Sequence, residues 1–149
     1  MARPSERRAE ARQVFRACAR ALYISNDSID AFLSSATPGQ LAACTGLLEG
    51  ELAHRERTKR QRLLRQARFP LPKSLDDFDW AHVRFPDGWG LDEMRSLSFT
   101  DDAEDLVFYG KTGRGKTHAA IGLGMSAVAA GMPVRFYQTA QLVLTLGKA

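Results

Sequence analysis

The segment Gly110-Lys111-Thr112-Gly113-Arg114-Gly115-Lys116-Thr117 constrains this 149-residue chain more than any other. It fits the pattern G-x-x-x-x-G-K-[ST], and its flanks are those the pattern needs. Leu106-Val107-Phe108-Tyr109 ahead of it is short, apolar and β-prone, whereas Lys116 to Ala130 is rich in Ala, Leu and Met and predicts a helix. Strand, glycine loop and helix in that order make a phosphate-binding unit. Gly110, Gly113 and Gly115 permit positive φ and let backbone N–H groups approach phosphate oxygens closely. The helix start adds unpaired N–H donors and a partial positive charge. Lys116 is expected on the β- and γ-phosphates of a nucleoside triphosphate, and the Thr117 hydroxyl on Mg²⁺. Lys111, Thr112 and Arg114 complete the loop; the two cations either face solvent or add charge near the phosphates. His118, on the first helical turn, joins the candidate set as a packing or hydrogen-bonding residue.

Charge is distributed unevenly along the chain. Arg3, Arg7, Arg8, Arg12, Arg16 and Arg20 outweigh Glu6 and Glu10, and a second basic run follows at 51–68. There Arg55, Arg57, Lys59, Arg60, Arg62, Arg65 and Arg68 face only Glu51 and Glu56. Residues 73–105 reverse the sign, with acids from Asp76 to Asp105 against Lys73, Arg84 and Arg95. A polyanion-facing end with a differently employed remainder is one reading of this asymmetry; solvated helix faces are the other. No apolar run approaches the ~18 residues of a membrane span, and the arginine-rich N-terminus has no signal-peptide core. Cys18 and Cys44 lack metal-type spacing and read as small buried apolar residues. A cytoplasmic location without membrane attachment is expected. His54 and His82 have no partners at ligand spacing and receive no role.

Helical periodicity organises the first 68 residues. Ser5 is expected to cap a helix to about Tyr23, with Val14, Phe15, Cys18, Ala21 and Leu22 as its apolar stripe. Asn26-Asp27-Ser28 restarts the chain into a short helix carrying Ile29, Phe32 and Leu33. Thr37-Pro38-Gly39-Gln40 reads as a capping box with Pro at the first helical position. It opens a long helix to about Arg68, with Leu41, Cys44, Leu47, Leu48 and Leu52 on the apolar face of its first half. Phe69-Pro70-Leu71-Pro72 ends that helix, since each Pro disfavours helical geometry in its predecessor. An acidic, aromatic linker follows (Leu75 to Trp80), then a turn around Pro86 to Gly90 and a short helix from Leu91 to Leu97. Beyond the phosphate loop, Gly131-Met132-Pro133 turns the chain into a second expected strand, Val134 to Tyr137, and Thr139 is expected to cap a last helix, Ala140 to about Leu146. The division is therefore 1–68 as a helical DNA- or partner-interaction region, 69–105 as linker and lead-in, and 106–149 as part of a nucleotide-binding core.

Taken together, Leu47-Leu48-Glu49, Arg55, Arg60, Leu63-Leu64, Ala67-Arg68-Phe69-Pro70 and Lys73 to Asp79 resemble the segment ahead of the ATPase core in IstB-like proteins. These are ATP-binding helpers of insertion-sequence transposition, similar to DnaC-type helicase loaders of the AAA+ class. Gly110, Gly115-Lys116-Thr117-His118, Ala130 to Phe136, Thr139-Ala140 and Leu142 fit the same family. The resemblance covers roughly 38–146. It implies an α/β P-loop NTPase core of AAA+ type behind an all-helical N-terminal domain, with ATP and Mg²⁺ as ligands. It also implies double-stranded DNA and a transposase as partners, and homo-oligomers in full-length members. Arg55, Arg57, Lys59, Arg60, Arg62, Arg65 and Arg68 are the DNA-binding candidates, and Phe78 and Trp80 either lie against adenine or pack in the core.

The sequence stops 33 positions after Lys116, so the family's Walker B acids, sensor and arginine finger are not in it. On this reading the core is incomplete, no catalytic residue is assigned, and both expected strands have open edges and marginal stability. Asp101, Asp102, Glu104 and Asp105 precede the first strand and do not replace the missing acids. Two other readings stay open: a non-enzymatic helical interaction fragment with a vestigial loop, and another P-loop NTPase such as a small-molecule kinase.

Overall fold

The computed structural model describes residues 3–147, which divide into two compact units, one up to Thr58 and one from Lys59 onward. Three helices account for the first: α1 (Pro4–Ala21), α2 (Asn26–Ser35) and the first part of α3 (Pro38–Ala67). Arg3 rather than Ser5 is the N-cap of α1, and Pro4 takes the first helical position. Its missing N–H costs nothing at the first helical position, and Glu6 Oε2 accepts from the Arg3 N–H at 2.6 Å. At the other end, the Ile24 N–H donates to Ala19 O at 3.0 Å and the Tyr23 N–H to Arg20 O at 2.9 Å. This pair of bonds is a Schellman closure, with Tyr23 rather than glycine in the left-handed position at φ 64°. Ser25 caps α2 by accepting from the Ser28 N–H, one residue before the expected restart.

The Thr37–Gln40 capping box forms as expected: Gln40 Oε1 accepts from the Thr37 N–H at 2.9 Å, and Thr37 Oγ1 accepts from the Gln40 N–H at 3.3 Å. Phe15, Ala19, Ile29, Leu33 and Leu41 are the buried core of this unit, with Phe32, Cys44 and Leu48 against them. Phe15 and Phe32 stack at 4.8 Å. Leu47, expected on the apolar face, is 72% exposed. Cys18 and Cys44 are half-buried free thiols.

The second unit holds the end of α3, then α4 (Leu91–Ser96), a 3-10 turn (Ser98–Thr100), α5 (Lys116–Ala129) and α6 (Thr139–Leu146). α3 stops at Ala67, and Arg68 takes a positive φ of 56° ahead of Phe69-Pro70. Its core lies on α5. Leu123 and Ala127 pack with Leu75, Met94 and Leu97, while Val128 meets Leu63 and Ala67 of α3. Two interior glycines let other segments cross this helix closely. A Cβ at Gly122 would lie 2.8 Å from Leu75 Cδ2 and 3.2 Å from the Leu75 backbone N, and one at Gly124 would lie 2.7 Å from Phe69 Cζ. Among the described residues no helix is long and apolar enough to cross a membrane.

Two expectations are corrected here. Among the described residues there is no strand, so neither Leu106–Tyr109 nor Val134–Tyr137 forms the sheet expected of an α/β core. The reason lies in where their backbone hydrogen bonds go. The Phe136 N–H donates to Ala67 O at 2.8 Å, and Arg135 Nη1 reaches Gln66 O at 3.4 Å. The would-be second strand thus satisfies the carbonyl end of α3 instead of a ladder. Leu106–Tyr109 has no ladder partner among the described residues, although Leu106 and Phe108 still pack inward while Val107 and Tyr109 are exposed. That alternation is strand-like burial without a sheet. The second correction is smaller: Gln138, not Thr139, precedes the last helix, and no side chain caps it.

Candidate functional site

The phosphate loop has the backbone its glycines predict. Gly110, Gly113 and Gly115 take φ of 142°, 81° and 79°, conformations that side chains resist. Gly115 is the N-cap of α5 in the left-handed region, and no side chain caps the helix start. The first-turn N–H donors of Lys116, Thr117 and His118 therefore face the loop without a capping acceptor, where the helix dipole favours an anion. Lys116 Nζ donates to Gly110 O at 2.8 Å and Lys111 O at 2.9 Å, which folds its ammonium over the loop. Thr117 is exposed on the first turn. Lys111, Thr112 and Gly113 are exposed at the tip.

The linker closes on this loop through aromatic side chains. His118 Nε2 lies 2.9 Å from Ser74 O. Because a carbonyl only accepts, that nitrogen carries the proton. Phe78 sits edge-on to His118 at 5.3 Å and against Trp80 at 4.5 Å. Trp80 Nε1 donates to Leu75 O at 2.9 Å, which fixes the indole plane. Phe78 also covers Gly115, where a Cβ would overlap its ring. Gly115 thus serves two constraints: a positive φ and the close passage of the linker.

Beside the loop is a cavity of about 280 Å³. Phe78, Trp80, Val107 and Phe108 provide apolar walls, and Arg114 and Lys116 provide cations at the loop side. Arg114 therefore turns toward the cavity, whereas Lys111 does not line it. His82, Val83 and Arg84 also line the cavity, and sequence reasoning gave them no role. Nothing in their spacing marks them; only the fold of the linker brings them to the loop. The basic candidates Arg55, Arg57, Lys59, Arg60, Arg62, Arg65 and Arg68 are all exposed, and Arg55 is paired with Glu51 at 2.7 Å. None of them lines the cavity.

Comparison with known proteins gives one consistent result. Residues 26–149 match the family described as IstB-like ATP binding protein. A Geobacillus stearothermophilus relative, named "Insertion sequence IS5376 putative ATP-binding protein", is 36% identical over 103 residues, which is 69% of this chain and 41% of the relative. A Pseudomonas aeruginosa relative, named "Insertion sequence IS21 putative ATP-binding protein", is 41% identical over 86 residues, covering 58% of this chain and 32% of the relative. A third, from Mycobacterium tuberculosis, is 33% identical over 124 residues, 80% of this chain and 49% of its own length. The chain spans about a third to a half of the length of these relatives.

Proposed function

We propose a function from one premise: this chain belongs to the family of IstB-like ATP-binding proteins. Membership carries a P-loop NTPase fold and ATP binding in an insertion-sequence setting. On that basis the loop from Gly110 to His118 binds ATP, and the chain takes part in transposition as an ATP-dependent helper acting on double-stranded DNA with a transposase. The observation that supports this best is the loop itself, with positive-φ glycines, Lys116 folded over them and an aromatic cavity alongside.

In this reading the triphosphate lies on the N–H groups at the start of α5, with Lys116 moved from the loop carbonyls onto phosphate oxygens. Mg²⁺ would be held by phosphate oxygens and Thr117 Oγ1, where it neutralises charge on the phosphates. Arg114 adds positive charge at the cavity mouth. The adenine stacks on Phe78 and Trp80. Residues 106–149 correspond to the nucleotide-binding core of AAA+ type, 69–105 to its linker and 1–68 to a helical region for DNA or partner contact, working in the cytoplasm and as oligomers. A comparison of two ligands tests the placement of the base. Trp80→Ala weakens ATP by about tenfold, because stacking a base on an aromatic ring contributes roughly 1–3 kcal/mol, and leaves inorganic tripolyphosphate unaffected. Equal loss for both ligands would place the base elsewhere.

Duplex DNA binds to the exposed basic residues of α3. Its signature is salt dependence, since each phosphate neutralised contributes roughly −0.9 to the slope of log K against log salt. Arg57→Gln, Arg60→Gln, Arg62→Gln and Arg65→Gln together flatten that slope by up to about 3.6 in fluorescence anisotropy with a labelled duplex. An unchanged slope would remove α3 from the DNA interface.

A further inference from the structure

The first unit carries a second feature, remote in sequence from the phosphate loop. A groove of about 630 Å³ runs between α1 and the start of α3. Ala11 and Val14 form one wall, Leu33 and Ala36 lie at the floor, and Leu41 and Ala42 begin the other wall. Pro38, Thr45, Gly46 and Glu49 continue that second wall along α3. The residues of this wall recur at the three- and four-residue spacing of one helix face. Gly46 leaves space in it: a Cβ placed there meets no heavy atom within 4 Å.

Three arginines stand along the α1 side of the groove: Arg7, Arg8 and Arg12. Arg12 Nη2 is committed to Leu33 O at 2.8 Å, at the end of α2. Arg7 and Arg8 are exposed, and among the described residues they make no ion pair. Glu49 is the one carboxylate on the groove, so the rim is net positive. An apolar trough bounded by small residues and two uncommitted arginines is unsuited to a phosphate backbone, which needs cations along its floor. It suits a helix whose apolar residues enter the trough and whose acids meet the rim.

We propose that this groove is a docking site for an acidic amphipathic helix of a partner protein. The proposal is independent of nucleotide binding. Leu, Ile or Met side chains one turn apart fill the space over Ala11, Ala42 and Gly46, and Asp or Glu residues on the flank pair with Arg7 and Arg8. Each such pair is exposed and sets orientation and on-rate more than affinity.

The test is a selection of random 16-residue peptides displayed against the full chain, with winners remeasured on three variants. Gly46→Leu fills the trough from within; it meets no neighbour and improves helix propensity, so the fold is retained, which circular dichroism verifies. Arg7→Glu and Arg8→Glu reverse the rim. The expected winners are net negative with apolar residues at helical spacing. Gly46→Leu weakens them at least tenfold, and each charge reversal weakens them several-fold, with the effect shrinking as salt rises. Three outcomes overturn the proposal: winners indifferent to Gly46→Leu, winners that are basic or lack a helical period, or duplex DNA whose binding Gly46→Leu abolishes.

Discussion

Lys116→Ala abolishes measurable ATP binding, with an expected loss of about 100-fold or more in affinity. Hydrogen bonds to charged groups contribute roughly 1.5–3 kcal/mol each, and Lys116 is placed to give up two carbonyl acceptors for two phosphate groups. The carbonyls of Gly110 and Lys111 that it leaves are on an exposed loop and return to water at little cost. The fold therefore persists in the variant, and its thermal midpoint should stay within a few degrees of the parent. Equilibrium dialysis with labelled ATP and Mg²⁺, run beside a thermal melt, separates the two quantities. A variant that binds ATP like the parent would show that the loop is not the phosphate site.

Gly122→Val has the largest expected effect on stability, a loss of about 3 kcal/mol in the second unit. Overpacking a close-packed position costs roughly 1–3 kcal/mol, and a β-branched side chain has restricted χ1 in a helix. Leu75 Cδ2 can rotate away from a new Cβ, but the Leu75 backbone N at 3.2 Å moves only with the linker. That linker also carries Ser74, whose carbonyl accepts from His118, and Phe78, which covers Gly115. The substitution therefore weakens ATP binding as well as stability, although Gly122 lies about two helical turns along α5 from Gly115. Urea denaturation monitored by tryptophan fluorescence reads the effect, since Trp80 and Trp89 both lie against this core. A change below 1 kcal/mol would mean that linker and helix are not in close contact.

How much of this could be read from the sequence follows the range of the interactions involved. The backbone of the glycine loop and the start of α5 were legible, because positive-φ glycines and a helix start are set by local backbone chemistry. The Thr37–Gln40 capping box and the helix break before Phe69-Pro70 were legible for the same reason. The N-caps fell at Arg3, Ser25 and Gln138, one or two residues ahead of the expected positions, since a cap depends on which neighbour takes the non-helical geometry. The two strands failed: β-prone residues specify a strand only when a ladder partner exists, and Phe136 found the end of α3 instead.

The site beyond the loop was legible only in part. Phe78 and Trp80 stood out as aromatic residues in an acidic linker, but His82 and Arg84 carry no pattern and reach the cavity through the linker's path. Gly122 and Gly124 did carry a signal. Two glycines inside a helix cost roughly 1 kcal/mol each against alanine, which asks for a packing reason, and Leu75 and Phe69 supply it.

The central claim, that this chain holds ATP at the phosphate loop, is tested most directly by titrating the unmodified protein with Mg·ATP while following tryptophan emission. Trp80 lines the cavity and Trp89 does not. A saturable change, retained in Trp89→Phe and lost in Trp80→Phe, is expected, with ADP competing for the same site. Absence of any saturable signal, together with no heat of binding by calorimetry, would contradict the account.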